Sequence, residues 1–533
     1  MRDLDARNLD ARNPDALSSW HADWRGLRVV VLGAGVTGFS AADTLAELGA
    51  EVLVVAASAT PERTELIAVI GARLCLQADD TILPPDVEPF APELVIVSPG
   101  YRPDHVVLAW AAERSIPVWG DIELAWRLRD KTGEPADWVT VTGTNGKTTT
   151  VQLATHMLAA DGRRVASVGN IGIPVLDAIR RPEGFDVLVV ELSSFQLHWV
   201  PRTGPGALAP AASACLNVAD DHLDWHGSRT AYADAKATVY ANTRIACVYN
   251  KADEATRRMV EDADVQEGCR AIGFGLDTPG PSDFGMVDDI VVDRAFLEDR
   301  QRSALELTTH GELAAAGLAT PHLVADVLAA SALVRALGVP VETVRSALAT
   351  FRVDHHRTEP VAMADGVLWV DDSKATNPHA ADAALRAFER VVWVVGGLLK
   401  GVDLGPLVAA HSTRLAAAVV IGANPEPVVE AFERHAPDVP VFVVVPTEDE
   451  GVMPQAVRLA AAVVQPGDVV LLAPAAASMD QFTDYADRGE RFAEAVVRHT
   501  GGAADDHDTP PGAPSAGPAS TAPSPSGERP PGA

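Results

Sequence analysis

The run Thr142-Gly143-Thr144-Asn145-Gly146-Lys147-Thr148-Thr149 has the composition of a phosphate cradle. Glycine lets the backbone approach a polyphosphate, and free N–H groups at a helix start face its negative charge. Lys147 can reach the outer phosphates of ATP, and the Thr148 hydroxyl can serve Mg2+. Gly143, Thr144, Asn145, Gly146 and Thr149 complete the nucleotide contacts. The usual phosphate loop carries a glycine five residues before its Gly-Lys pair. Val141 stands there, so this loop is a shortened variant.

Three further residues could act beside it. Glu191 ends the apolar run Asp186-Val187-Leu188-Val189-Val190, where a carboxylate could hold Mg2+ or be a solvated strand-end acid. His222 and His226 are four apart, as on a zinc helix, but Leu223 replaces the glutamate of a metalloprotease. A lone histidine is more often structural; the adjacent acids favour His222 as a ligand of a second metal ion. Lys236 stands among alanines in Tyr232-Ala233-Asp234-Ala235-Lys236. It is either a plain cation or a neutral amine that takes up CO2 as a carbamate, an anionic oxygen ligand that arginine cannot form. The chain has six lysines against 37 arginines. Lysines kept in such a background are site candidates, and Lys147, Lys236, Lys374 and Lys400 fall in motifs; Lys131 and Lys251 read as surface residues.

These side chains need strands and helices to position them. Trp138-Val139-Thr140-Val141 alternates as a strand before the loop, and Val151 to Leu158 has helical spacing that closes at Gly162. Strand-like runs at Leu27–Leu32, Glu51–Val55, Arg73–Leu76 and Leu94–Ser98 form a first segment. Runs at Val391–Val395, Ala418–Ile421, Val441–Val445 and Val469–Leu472 form a third. Strands alternating with helices predict an α/β fold with parallel sheets covered on both faces, the central one mostly parallel. The expected division is a polar, mobile extension (1–25), a Rossmann-like domain (26–124), a central phosphate-loop domain (125–353), a Rossmann-like domain (354–500) and a disordered Pro/Ala/Ser/Gly-rich tail (501–533).

Composition excludes several classes. A net charge of −30 argues against nucleic acid, which requires a basic surface. Cys75, Cys215, Cys247 and Cys269 have neither metal nor disulfide spacing and read as free thiols. No apolar run is long enough to span a membrane, and the Asp- and Arg-rich start is unlike a signal peptide. A cytoplasmic monomer without membrane insertion is expected.

Gly33-Ala34-Gly35-Val36-Thr37-Gly38 fits a dinucleotide fingerprint after a strand. An NAD site also needs an acid at the end of the second strand, and Val55-Ala56-Ala57-Ser58 offers none. The loop is therefore expected to hold a nucleotide phosphate without NAD, with Ser98-Pro99-Gly100 facing the same crevice.

The shortened loop together with Gly169-Asn170-Ile171-Gly172, Glu191-Leu-Ser-Ser-Phe-Gln-Leu197, Asp221-His222-Leu223-Asp224 and Ala235-Lys236 resembles the Mur ligases, ATP-dependent amide-forming enzymes of peptidoglycan assembly. Asp372-Ser373-Lys374-Ala375-Thr376-Asn377 resembles the branch that adds D-glutamate. Gly396-Gly-Leu-Leu-Lys400-Gly401 and Ser478-Met-Asp-Gln-Phe482 point the same way. The resemblance covers roughly residues 26 to 500. It implies that Val36, Thr37 and Ser98 hold the UDP of UDP-N-acetylmuramoyl-L-alanine, and that Asn170 and His222 contact the rest of that substrate. It implies two Mg2+ sites served by Thr148, Glu191, His222 and carbamylated Lys236. His356, Arg357 and Asp372 would close on ATP, and Lys374, Thr376, Lys400, Ser478, Met479, Phe482 and Tyr485 would surround D-glutamate.

Two departures stand out. The family often carries Asp-Thr-Arg where this chain has Ala56-Ala57-Ser58. A His-Asn-x-x-Asn motif near the adenine is here His322-Leu323-Val324-Ala325-Asp326, which leaves Asp326 as the adenine contact. A folate polyglutamylating ligase shares the loop but lacks the first nucleotide domain and the 372–377 pattern. A catalytically silent nucleotide-binding regulator is disfavoured by intact Lys147, Glu191, His222 and Lys236, and an NAD oxidoreductase by the missing acid.

Overall fold

Runs of valine, leucine and isoleucine make the strands, because β-branched side chains suit a pleated surface buried on both faces. In a computed structural model, which describes residues 14–353, 355–446 and 450–501, these runs assemble into three sheets. The first contains β1 (Arg28–Leu32), β2 (Glu51–Ala56), β3 (Arg73–Leu76), β4 (Leu94–Val97) and β5 (Val118–Gly120) in the order β3-β2-β1-β4-β5, all parallel. Strand order reverses between β1 and β4, which opens a crevice at their carboxyl ends, where the Gly33–Gly38 loop and Ser98 lie.

The second sheet holds β6 (Asp137–Thr142), β7 (Val165–Gly169), β8 (Val187–Glu191), β9 (Ala212–Cys215), β10 (Ala246–Asn250), β11 (Arg270–Phe274), β12 (Asp283–Val287), β13 (Ile290–Asp293) and β14 (Leu305–Thr309). Their order is β14-β13-β12-β11-β10-β9-β6-β8-β7, with β6 flanked by β8 and β9. The third sheet holds β15 (Glu359–Ala364), β16 (Val367–Asp371), β17 (Val391–Gly396), β18 (Leu415–Ile421), β19 (Val441–Val443) and β20 (Val469–Leu472), in the order β15-β16-β20-β17-β18-β19.

The sheets are mostly parallel, as the alternation of strands and helices predicts, with antiparallel pairing at two sheet edges. β12, β13 and β14 pair antiparallel, as do β15 and β16. The β15–β16 turn is Asp365-Gly366 with φ of 51° and 76°, the left-handed pair that a two-residue hairpin requires. Among the described residues no helix is long and apolar enough to cross a membrane.

Residues 14–25 are not the loose extension their polarity predicts. Leu17 and Trp24 are buried in the core beneath the first sheet. Asp130 accepts hydrogen bonds from the Ser19 hydroxyl at 2.5 Å and the Trp20 N–H at 2.7 Å. The apolar residues that dock the segment are single ones, so no periodicity announces them. Residues 1–13 and the predicted tail beyond Gly501 lie outside the described residues.

Arg127 fixes this corner. Its guanidinium is 2% exposed, binds Glu123 at 2.7 Å, donates to the Leu17 carbonyl at 3.2 Å and lies 3.9 Å over the Trp119 ring. Burial pushes the Glu123 carboxyl up to about 7 despite this partner, so desolvation outweighs the attraction. Removing one partner is a different matter, because it strands the other. Arg127→Ala is expected to lower folding stability by about 3 kcal/mol, read as the denaturant midpoint. A change below about 0.5 kcal/mol, the range of an ordinary surface substitution, would show the corner to be peripheral.

Candidate active site

The phosphate loop leaves the carboxyl end of the central strand β6 and enters the helix Lys147–Ala160. Gly146 turns it with φ 81°, and a Cβ there would collide with the Asp326 carboxylate. The amide of Asn145 donates to the Asn217 side chain at 2.8 Å, and the Asn217 amide returns a bond to the Asn145 carbonyl at 3.1 Å. Thr144 is fixed by the Tyr232 hydroxyl at 2.9 Å.

Neighbouring strands deliver the other groups. Glu191 ends β8 opposite Val141, and its buried carboxylate accepts from the Thr148 hydroxyl and the Asn170 amide, each at 2.9 Å. Lys147 Nζ donates to the Gly143 and Thr144 carbonyls, both at 2.9 Å. Lys236, 2% exposed on the helix Arg229–Ala237, also donates to the Gly143 carbonyl at 2.9 Å. Two ammonium groups thus converge on one carbonyl. Burial, reinforced by Lys147, pulls Lys236 down to about 7. Burial also lowers Lys147, against the attraction of Glu191 and Asp221.

His222 has φ 52°, an uncommon value outside glycine, at the start of the short helix Leu223–His226. Its ring packs on Phe195 at 4.6 Å, and burial lowers it to about 4, so it is neutral at pH 7 and can act as a ligand. His226 packs on the same Phe195 and pairs with Ser194 at 3.0 Å. The aromatic packing explains the spacing of four without a shared metal.

A cleft of about 1330 Å³ joins the loop to the third sheet's domain. Thr144, Asn145, Gly146, Lys147, Thr148, Asn170, Glu191, His222 and Asp326 line one side. Arg357, Asp372, Lys374, Thr376 and Tyr485 line the other. Asn377 crosses between them and donates to the Asn145 side chain at 2.9 Å, and His379 meets the Asn145 amide at 3.1 Å. Lys374 Nζ donates to the Tyr485 hydroxyl at 2.8 Å. Burial raises the carboxyls of Asp326 and Asp372 to about 7, which lessens the negative charge facing an incoming nucleotide.

Other predicted residues lie elsewhere. Gly143, Thr149 and Lys236 are packed behind the loop, outside the cleft lining. His356 is drawn to Asp371 at 2.6 Å, with Glu359 accepting from its backbone N–H. These three are the group of His, Cys, Asp and Glu side chains whose ligand atoms converge among the described residues, and Glu191 and His222 are not in it. Lys400, Ser478, Met479 and Phe482 do not line the cleft: Ser478 is buried, Met479 is 65% exposed, and Phe482 packs on the apolar layer beneath the third sheet. Val36, Thr37 and Ser98 lie in the separate crevice of the first sheet. Asn217, Asn377 and His379 went unassigned from the sequence; the signal available for Asn217 was its place just beyond β9, the strand beside the loop. None of the six lysines is exposed: Lys236 is buried and the other five are half-buried.

Comparison with known proteins covers most of the chain. Residues 141–334 match the model of the Mur ligase middle domain, and residues 356–476 that of the Mur ligase glutamate ligase domain. The UDP-N-acetylmuramoylalanine--D-glutamate ligase of Leifsonia xyli is 66% identical over 92% of this chain and 96% of its own. Two solved structures share the fold. A pseudomurein peptide ligase type C from Methanothermus fervidus has a TM-score of 0.52 at 15% identity, covering 88% of this chain and 99% of that one. A MurF ligase from Thermotoga maritima in complex with ADP has a TM-score of 0.50 at 19% identity, covering 90% and 96%.

Proposed function

The chain belongs to the Mur ligase family, and from that premise we propose that it joins D-glutamate to UDP-N-acetylmuramoyl-L-alanine, converting ATP to ADP and phosphate in the cytoplasmic assembly of peptidoglycan precursors. The observation that carries this reading is one cleft bounded by a phosphate loop on one wall and by Lys374 and Tyr485 on the other. The loop suits the polyphosphate. An ammonium and a hydroxyl across from it suit an amino acid with two carboxylates.

The chemistry follows from the substrates. The L-alanine carboxylate is a poor electrophile, so it first attacks the γ-phosphate and becomes an acyl phosphate while ADP leaves. The neutral amine of D-glutamate then attacks the carbonyl, an amide bond forms, and phosphate and a proton are released. Lys147 would neutralise charge on the transferring group. Arg357 and Asp372, on the opposite wall, would reach the nucleotide. His356 would act at one remove, and Asp326 from behind Gly146. Lys400, Ser478, Met479 and Phe482 lie outside the open cleft, so their predicted role at D-glutamate needs the third domain to close.

The Thr148 hydroxyl and Glu191 carboxylate, side by side, are hard oxygen donors that fit Mg2+, with His222 as a further ligand. When bound, Mg2+ would offset phosphate charge. Lys236 fits carbamylation: its amine is buried and pulled down to about 7, which gives a substantial uncharged fraction at neutral pH, and a carbamate keeps the N–H that the Gly143 carbonyl accepts.

Phosphate release with ATP, Mg2+ and UDP-N-acetylmuramoyl-L-alanine tests the reading. Release is expected with D-glutamate and to stay at background with L-glutamate or no amino acid. Equal release with L-glutamate, or none with either, would overturn it.

A further inference from the structure

The geometry points to Arg63 as the cation that binds the diphosphate of the uridine-diphosphate substrate in the first sheet's crevice; this rests on the reading above. Residues 26–124 hold five arginines and no lysine against fourteen carboxylates. Such a field repels a dianionic phosphate group unless a cation stands beside it. Four of the five arginines are committed: Arg28 to Glu93, Arg73 to Asp86, Arg102 to Asp104, and Arg114 to Glu88 and Glu113. Among the described residues, Arg63 alone of the five has no carboxylate partner.

Its position suits the task. Arg63 sits in the first turn of the helix Pro61–Val69, held there by the Thr60 hydroxyl, which accepts from the Arg63 N–H at 3.2 Å. That helix starts from the carboxyl end of β2. The neighbouring helix Val36–Glu47 starts from the carboxyl end of the adjacent strand β1. The Arg63 guanidinium carbon lies 4.5 Å from the ring centroid of Phe39, in the first turns of that second helix. The cation is thus held at the mouth of the crevice by a ring, which leaves its N–H fork free for phosphate oxygens. At the carboxyl ends of β1 and β4 the Ser98 hydroxyl is buried without a partner against Gly33 and Gly38, and Val36 is 64% exposed. A buried donor, a helix start and an uncommitted guanidinium are thus all carried at the carboxyl ends of β1, β2 and β4. No acid or cation at Ala56-Ala57-Ser58 competes with Arg63 for the role.

The test uses the full chain and three variants, Arg63→Met, Arg63→Ala and Arg63→Lys. Methionine keeps an apolar stem over Phe39 and removes the charge. Arg63→Met and Arg63→Ala are expected to raise KM for the uridine-diphosphate substrate by about tenfold, with KM for ATP and for D-glutamate unmoved and Arg63→Lys recovering part of the loss. Binding of UDP, UMP and uridine is measured by calorimetry on the same proteins. The loss should be greatest for UDP and absent for uridine. Arg63→Met with wild-type KM, or equal losses for UDP and uridine, would overturn the assignment while wild-type binding of UDP leaves the functional reading standing. If the wild type binds neither UDP nor its substrate, both fall together.

Discussion

Lys147→Ala is expected to cut D-glutamate-dependent phosphate release by about a hundred- to a thousandfold, the scale seen when one preorganised charge is removed from a transition state. The expectation comes from placement. Lys147 Nζ is held by two carbonyls of its own loop, so it is aimed before any nucleotide arrives. Among the cleft's lining residues it is the cation carried by the phosphate loop, and no neighbour on the loop can replace it. Lys147→Arg should recover little, because a planar fork does not fit where a compact ammonium touches two carbonyls. Initial rates at saturating substrates check this, with a thermal melt to verify folding. A loss under tenfold would mean that the loop's backbone N–H groups carry the phosphate without the side chain.

Lys236→Ala should be nearly as damaging, by about a hundredfold, and unlike Lys147→Ala it should be partly rescued by formate or acetate. The rescue separates a missing carboxylate from a missing cation. Lys236 sits behind the loop on the carbonyl that Lys147 also uses, in a buried pocket under Tyr232. The same group gives a pH signature. Its ammonium form, favoured below about 7, cannot react with CO2, whereas the free amine above that value can. Wild-type activity is therefore expected to fall as pH drops through about 7, and to fall less steeply when bicarbonate is raised. Full activity of Lys236→Ala without added carboxylate would remove the carbamate from the scheme.

Local chemistry made part of this structure readable in advance. The strands around the phosphate loop are short apolar runs, and the loop's Gly-Lys-Thr-Thr ends where the helix begins, so β6, β8 and the cradle follow from neighbouring residues. Glu191 was legible for the same reason, as a carboxylate closing such a run. What could not be read depends on partners far along the chain. Asn377 meets Asn145 across 232 positions, and nothing around either residue specifies the other. His356 turns to Asp371 rather than towards the cleft, a choice made by the hairpin that brings β15 against β16. The docking of Leu17 and Trp24 is likewise a matter of isolated side chains finding a cavity. The antiparallel pairings β12–β13 and β15–β16 come from turns of two residues, too short to register as a change of fold class.

That no lysine is fully exposed has a practical side. Amine-directed reagents ordinarily label a protein in many places, because lysine heads stand in water. Here the surface cations are arginines, and four of the six side-chain amines belong to the motifs of the reaction. A small acylating or aldehyde probe would find a sparse set of targets, and protection by ATP or D-glutamate could be followed peptide by peptide. The composition that keeps ammonium groups for chemistry also makes them a built-in reporter of occupancy.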